Sequence, residues 1–274
     1  MLLNAGKEYG DYWKNAMEYN GLLNNFVKEV KPDAMFFVMF MSQIKKHHTL
    51  ALLSIPRCHH VQTQMNFRQT IEAATNAAYG VAHYERENFV TNNEDGTIID
   101  TNQAKKYRWL KENFKFHSDF LEKQKKAINR GSAHSSVVYA FLNFGFKSAT
   151  GFATSFFDGE DKFHTRMELW FAGNLAMGIM DLMAVANKKY DLITLIPDFV
   201  QQQKELEQEN HRLKAELGGN ERIKKWLPLL EERRRNKQTR EYFNWRASKS
   251  LSRSKEDQAR CNHLSNRRFP WCGL

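Results

Sequence analysis

Cysteine is scarce in this 274-residue chain: Cys58, Cys261 and Cys272 are the only three. They have no metal-ligand spacing and are too few for a disulfide framework, so a reducing, cytoplasmic setting is expected. Proline and glycine are also sparse, at 5 and 14 residues, which excludes collagen-like sequence and speaks against an all-β fold. The first dozen residues are too polar for a secretory h-region. One long apolar run exists, Leu169 to Ala186, and it carries Asn174 and Asp181. A charge at a bilayer centre costs ~2.5–3.5 kcal/mol, so the run reads as a buried core helix, with no membrane partner.

What the chain does have is core material and unevenly placed charge. Hydrophobic residues make up 42% and charged residues 26%, enough for one large domain or a domain with an appendage. The net charge of +10 is concentrated in one place: residues 220–274 hold 15 Lys/Arg against 6 Asp/Glu, while residues 1–219 hold 26 against 25. A near-neutral body followed by a basic tail predicts a polyanionic partner for the tail.

The body reads as helices. A helical period runs from Asp11 to Val30, broken by Pro32, and a very apolar helix runs from Met35 to about Ile55, ended by Pro56. From about His59 to Tyr84, Phe67, Ile71, Ala74, Ala78 and Val81 form one apolar stripe at i, i+4, i+7, i+11 and i+14. Ala73, Ala74, Ala77, Ala78 and Gly80 keep this helix thin, and Arg68, Glu72 and Asn76 form a polar lane beside the stripe. Asn92 to Gly96 is a loop. Helices follow over about Thr101–Phe114 and Ser118–Asn129. Phe141 to Phe157, interrupted by Gly145 and Gly151, is a folded-back loop or short strands. No internal repeat and no βαβ alternation is present.

The segment from Asp198 to Leu217 is polar, follows Pro197 and ends at Gly218-Gly219. Phe199, Gln203, Leu206, Asn210, Leu213 and Leu217 take alternating d and a positions of a heptad. An Asn at an a position fixes register in coiled coils, so Leu206, Asn210, Leu213 and Leu217 predict a protruding helix that makes a homodimer. The competing reading is a solvated surface helix. Beyond it, Arg233, Arg234, Arg235, Lys237 and Arg246 alternate with aromatics such as Trp245, a pattern suited to phosphate neutralisation and base stacking. A solvated tail, or one folded on its own body, is the alternative. The expected organisation is therefore an all-α bundle over residues 1–190, a coiled-coil helix over 198–217 and a basic tail over 220–274.

No cofactor is expected, and no metal. Neighbours on a helix point about 100° apart, so neither His47-His48 nor His59-His60 clasps one ion as a pair. Asp161, His164 and Glu168 share a helical face and read as a surface ion-pair lane, since no second E-x-x-H accompanies them. Cys58 beside His59 and His60 is a faint signal for an activated thiol. The segment Ile128-Asn-Arg-Gly-Ser-Ala-His134 concentrates polar groups at a helix junction. A His beside an Arg can do acid/base work on a phosphodiester; a buried hinge histidine is the plain alternative.

Two pieces, Met65-Asn-Phe-Arg-Gln-Thr-Ile-Glu-Ala-Ala74 and Asn129-Arg-Gly-Ser-Ala-His134, carry a resemblance to the HEPN superfamily of small helical bundles, found in toxins, abortive-infection and other defence proteins. With the helices between, it covers roughly residues 35–187. Nuclease members have an Arg, four to six residues, then a His. Here only three residues separate Arg130 from His134, and a four-residue spacing lands on Asn129. The motif is thus degenerate, or Arg68 supplies the cation. The resemblance implies an RNA-directed antiviral-defence or toxin-type protein, dimeric, acting as a metal-independent endoribonuclease if catalytic. His134 would be the acid/base, Arg130 or Arg68 the phosphate partner, and Asn129 and Glu72 the orienting groups. The competing class is a non-catalytic dimeric scaffold whose tail binds nucleic acid or a partner protein.

Overall fold

The computed structural model describes residues 4–131, 144–146, 152–154, 161–225 and positions 228, 232 and 235. The chain divides into two compact units, Met1–Ala215 and Glu216–Leu274. The first unit is an all-α bundle. Short α1 (Ala5–Tyr9) turns through Gly10, at φ +53°, into α2 (Asp11–Asn25). Strand β1 (Val27–Val30) leads to α3 (Met35–Ser54) and, after a 3-10 turn at Ile55–Arg57, to α4 (His60–Ala82). The hairpin β2 (Val90–Asn92) and β3 (Ile98–Asp100) precedes α5 (Gln103–Asn113) and α6 (Lys115–Gly131). The antiparallel pair β4 (Phe144–Phe146) and β5 (Phe152–Thr154) comes next, then the long α7 (Lys162–Tyr190), β6 (Ile193–Leu195) and α8 (Phe199–Gly218).

The period expected through Val30 stops at Asn25. Val27 and Val30 lie instead in a strand paired antiparallel with β6, Val30 opposite Ile193 and Val27 opposite Leu195. Two β-branched residues just before Pro32 favour extended backbone once a partner strand is at hand. The Phe-rich segment resolves as the short-strand alternative, with Gly145 opposite Ala153.

The core forms where the apolar stripes meet. Phe67, Ile71, Ala74, Ala78 and Val81 are all buried, as the α4 stripe predicts. Small residues on α4 allow close approach to α3: a Cβ at Gly80 would stand 3.1 Å from the Phe37 backbone nitrogen. In α7, Leu169, Ala172, Leu175, Ala176, Ile179, Met180 and Met183 are fully buried. This is the one helix among the described residues long and apolar enough to cross a bilayer, and 56% of its most apolar window is covered by the protein itself. Phe36 stacks on Phe89 at 4.2 Å between ring centres, anchoring the hairpin to the α3–α4 pair.

Helix α8 does not protrude. The Tyr12 hydroxyl donates to the Leu213 carbonyl (3.2 Å), Asn15 Nδ2 to the Leu206 carbonyl (3.3 Å), and Trp170 Nε1 to the Asn210 carbonyl (3.1 Å). Arg212 pairs with Asp11 at 2.6 Å. Asn210 and Leu213 are buried. Asn210 and Leu213, read as part of a seam for a second copy, are thus turned towards α2 and α7 of the same chain, while Leu206 is half-buried. A 3.5-residue period serves either surface, because it records only that one face of the helix is buried. Leu217 falls in the second unit.

Candidate functional site

The polar lane of α4 faces α5 and α6. The Arg68 guanidinium donates through Nε to Glu72 Oε1 at 3.3 Å, and Lys125, from α6, reaches the same oxygen at 2.9 Å. Lys125 also donates to the Tyr107 hydroxyl of α5 at 2.8 Å and lies over that ring. Burial by itself would push the Lys125 amine down, but its hydrogen bonds to Tyr107 and Glu72 outweigh this and hold it raised. It therefore stays cationic.

Glu72 forms one wall of a cavity of about 380 Å³, lined also by Phe40, Gln43, His47, Gln69, Asn76, Asp100, Thr101 and Gln103. Two of its polar atoms, Asn76 Oδ1 and Gln103 Nε2, are shielded from solvent and have no hydrogen-bond partner among the described residues. Such atoms cost ~1–3 kcal/mol each unless something enters to pair them. The cavity thus offers four carboxamides, an aromatic ring and an imidazole, with two cations at its Glu72 corner.

A second constellation joins α4 to α7. His60 Nδ1–H donates to Glu168 Oε2 at 2.7 Å, and Gln64 Nε2 donates to Glu168 Oε1 at 2.8 Å. His164 Nε2 stands 3.5 Å from Oε1. The two imidazoles meet edge to face, 4.4 Å between centres. His60 and Glu168 side chains are each 4% exposed, His164 35%. Burial alone would raise the Glu168 carboxyl, but the hydrogen bonds from His164 and His60 and their charge overcome it and hold the group below the usual range. Helix α7 presents these side chains because Asp161 caps its start, Oδ1 accepting from the Phe163 and His164 amides.

This corrects the reading of Asp161, His164 and Glu168 as a surface lane: Asp161 serves as the helix cap, and Glu168 is turned into the α4–α7 interface. His60, weighed in sequence only beside His59 and Cys58, and Gln64, not singled out there, complete the group. Their i, i+4 spacing on α4 was the available signal, matched by the same spacing of His164 and Glu168 on α7.

Of the residues expected to act together, Arg68 and Glu72 do touch. Asp181, in the long apolar run, pairs with His117 at 2.9 Å. Asn129 is near the end of α6, its Oδ1 buried without a partner among the described residues. Arg130 falls in the last turn of α6. His134 lies outside the described residues, as do Arg233, Arg234, Lys237, Trp245 and Arg246; Arg235 is helical and exposed. Cys58 is buried, in the left-handed region at φ +54° two residues before α4.

Comparison with protein families, curated proteins and solved structures finds no match for this chain.

Proposed function

We propose that the chain is an RNA-directed protein of HEPN-like helical type, and that it takes an unstacked base into the carboxamide-lined cavity beside α4. The observation that carries this is the pair of buried, unpartnered atoms on Asn76 and Gln103 in that cavity. Asn and Gln side chains pair naturally with the donor and acceptor edges of bases, and Phe40 and His47 supply flat faces for stacking. Arg68 and Lys125 share the Glu72 carboxylate, which leaves one cationic charge unbalanced at that corner for a phosphate, while Asp100 adds a negative charge elsewhere in the lining. The basic tail adds sequence-independent affinity in this reading. The resemblance around Arg68 and Glu72 supports the same assignment.

The test is binding of labelled single-stranded RNA to the full chain at fixed salt. Asn76→Ala and Gln103→Ala should each weaken binding about fivefold to a hundredfold, as expected for ~1–3 kcal/mol. Unchanged affinity in both variants would overturn the base-pocket reading. Incubation with total RNA in chelator then separates two forms of the proposal. Cleavage lost in His134→Ala marks an endoribonuclease using His134 with Arg130 or Arg68. Retention of RNA without cleavage marks the non-catalytic binding protein.

A further inference from the structure

The His60–Glu168–His164 group has no part in the RNA-binding proposal, and ordinary packing does not explain it. On α3, by contrast, the buried His48 meets only neutral partners, the Asn20 carboxamide at one nitrogen and the Ala172 backbone carbonyl at the other. At the α4–α7 interface the fold instead buries a carboxylate between two imidazoles and steadies it with Gln64. Taking a carboxylate out of water costs several kcal/mol, so two apolar residues would close the same interface more simply.

We propose that His60, His164 and Glu168 bind one divalent cation of the zinc class. Their ligand atoms all lie within 4.8 Å of one another. Tetrahedral ligands with bonds of about 2.1 Å stand about 3.4 Å apart. His60 Nδ1 lies 2.7 Å from Glu168 Oε2 and His164 Nε2 lies 3.5 Å from Oε1, so the two imidazoles flank the two oxygens of one carboxylate at separations near that value. Two imidazoles with one carboxylate suit zinc and its first-row neighbours; calcium and magnesium prefer oxygen-only sets. Gln64 is a positioning residue, since its amide holds Oε1 and so fixes the carboxylate plane. On entry the cation binds Nδ1 of a neutral His60, and the ring's single proton moves from Nδ1, where it is shared with Glu168, to Nε2. Three protein ligands leave a fourth position for water or another ligand atom. The part-exposed His164 edge gives the cation a way in.

The experiment uses the full chain, stripped with chelator and desalted, then titrated with Co²⁺ as a spectroscopic probe and with Zn²⁺ in competition. One equivalent of Co²⁺ should bind with visible bands of a nitrogen/oxygen set and no thiolate charge-transfer band, which separates this site from Cys261 or Cys272. His164→Ala, at the protein surface, should weaken binding at least tenfold; Glu168→Gln should do the same. Gln64→Ala should weaken it about tenfold, while His211→Ala, an exposed histidine on α8 outside both sites, should leave it unchanged. Failure to bind one equivalent, or equal affinity in wild type and His164→Ala, would overturn the proposal. Should Glu168→Gln not fold, the His164→Ala comparison decides the matter. RNA affinity is measured on separate variants, so either proposal can fail without the other.

Discussion

His48 makes the stability of the bundle depend on pH. Its side chain is fully buried in α3, with Nε2 3.0 Å from the Ala172 carbonyl and Nδ1 2.9 Å from Asn20 Oδ1. Burial pushes its pKa down to about 4, a shift that the hydrogen bond to Ala172 only partly offsets. In the unfolded chain the ring titrates near 6.5. Between those values the unfolded state binds the extra proton, so stability falls as pH drops through that window and is fully present above it. From the two pKa values, the loss is about 2 kcal/mol at pH 5 and about 3 kcal/mol at pH 4, relative to pH 7.

The assay is urea unfolding followed by far-UV circular dichroism at several pH values between 7 and 4, at constant ionic strength, for wild type and His48→Gln. Glutamine keeps a donor and an acceptor but cannot titrate. It should be less stable than wild type at pH 7 by ~1–3 kcal/mol through imperfect hydrogen bonds. The gap should shrink as pH falls, because only the wild type carries the His48 penalty. Other titrating groups act on both proteins and cancel in the difference. Parallel pH profiles, with a constant gap down to pH 4, would refute the neutral buried histidine.

Two further substitutions test how the helices meet. Gly80→Ala adds a methyl 3.1 Å from the Phe37 backbone nitrogen and 3.4 Å from the Phe36 carbonyl carbon, both rigid. Overpacking costs ~1–3 kcal/mol, which should outweigh the gain of ~1 kcal/mol in helix propensity, so the thermal midpoint should fall; a rise would mean that α3 and α4 separate freely. Leu213→Ala, fully buried on α8, should cost ~2–5 kcal/mol in urea unfolding, by an amount independent of protein concentration. A loss that grows on dilution would return α8 to the role of an intermolecular seam.

The contrast between α4 and α8 shows what a sequence pattern carries. Both have a clean apolar period; the marked residues of α4 are all buried, and on α8 Phe199, Asn210, Leu213 and Leu217 are buried while Gln203 and Leu206 are half-buried. The period states which face is covered and is silent on what covers it. For α4 the wide stripe of Phe67, Ile71 and small residues leaves no choice but a core. For α8 a narrow stripe in a polar helix fits a partner chain as well as α2 and α7, and only the Tyr12, Asn15 and Trp170 side chains, about 40 to 200 residues distant in sequence, distinguish them.

The same limit governs the candidate sites. Arg68 and Glu72 were legible because their contact is local, one helical turn apart. Glu168 and His60 are 108 residues apart, and their meeting depends on the rotation of α7 about its axis relative to α4. Adjacent histidines do diverge by about 100°, so the rule against His59-His60 as a joint clasp stands. That rule says nothing about one of them working with a distant carboxylate. The divergence leaves one ring of the pair free to turn inward, and in this fold His60 turns inward to meet the buried Glu168. Adjacent histidines on one helix thus cannot chelate as a pair, but two helices that each present residues four apart can bring an imidazole of one against a carboxylate of the other, as His60 meets Glu168.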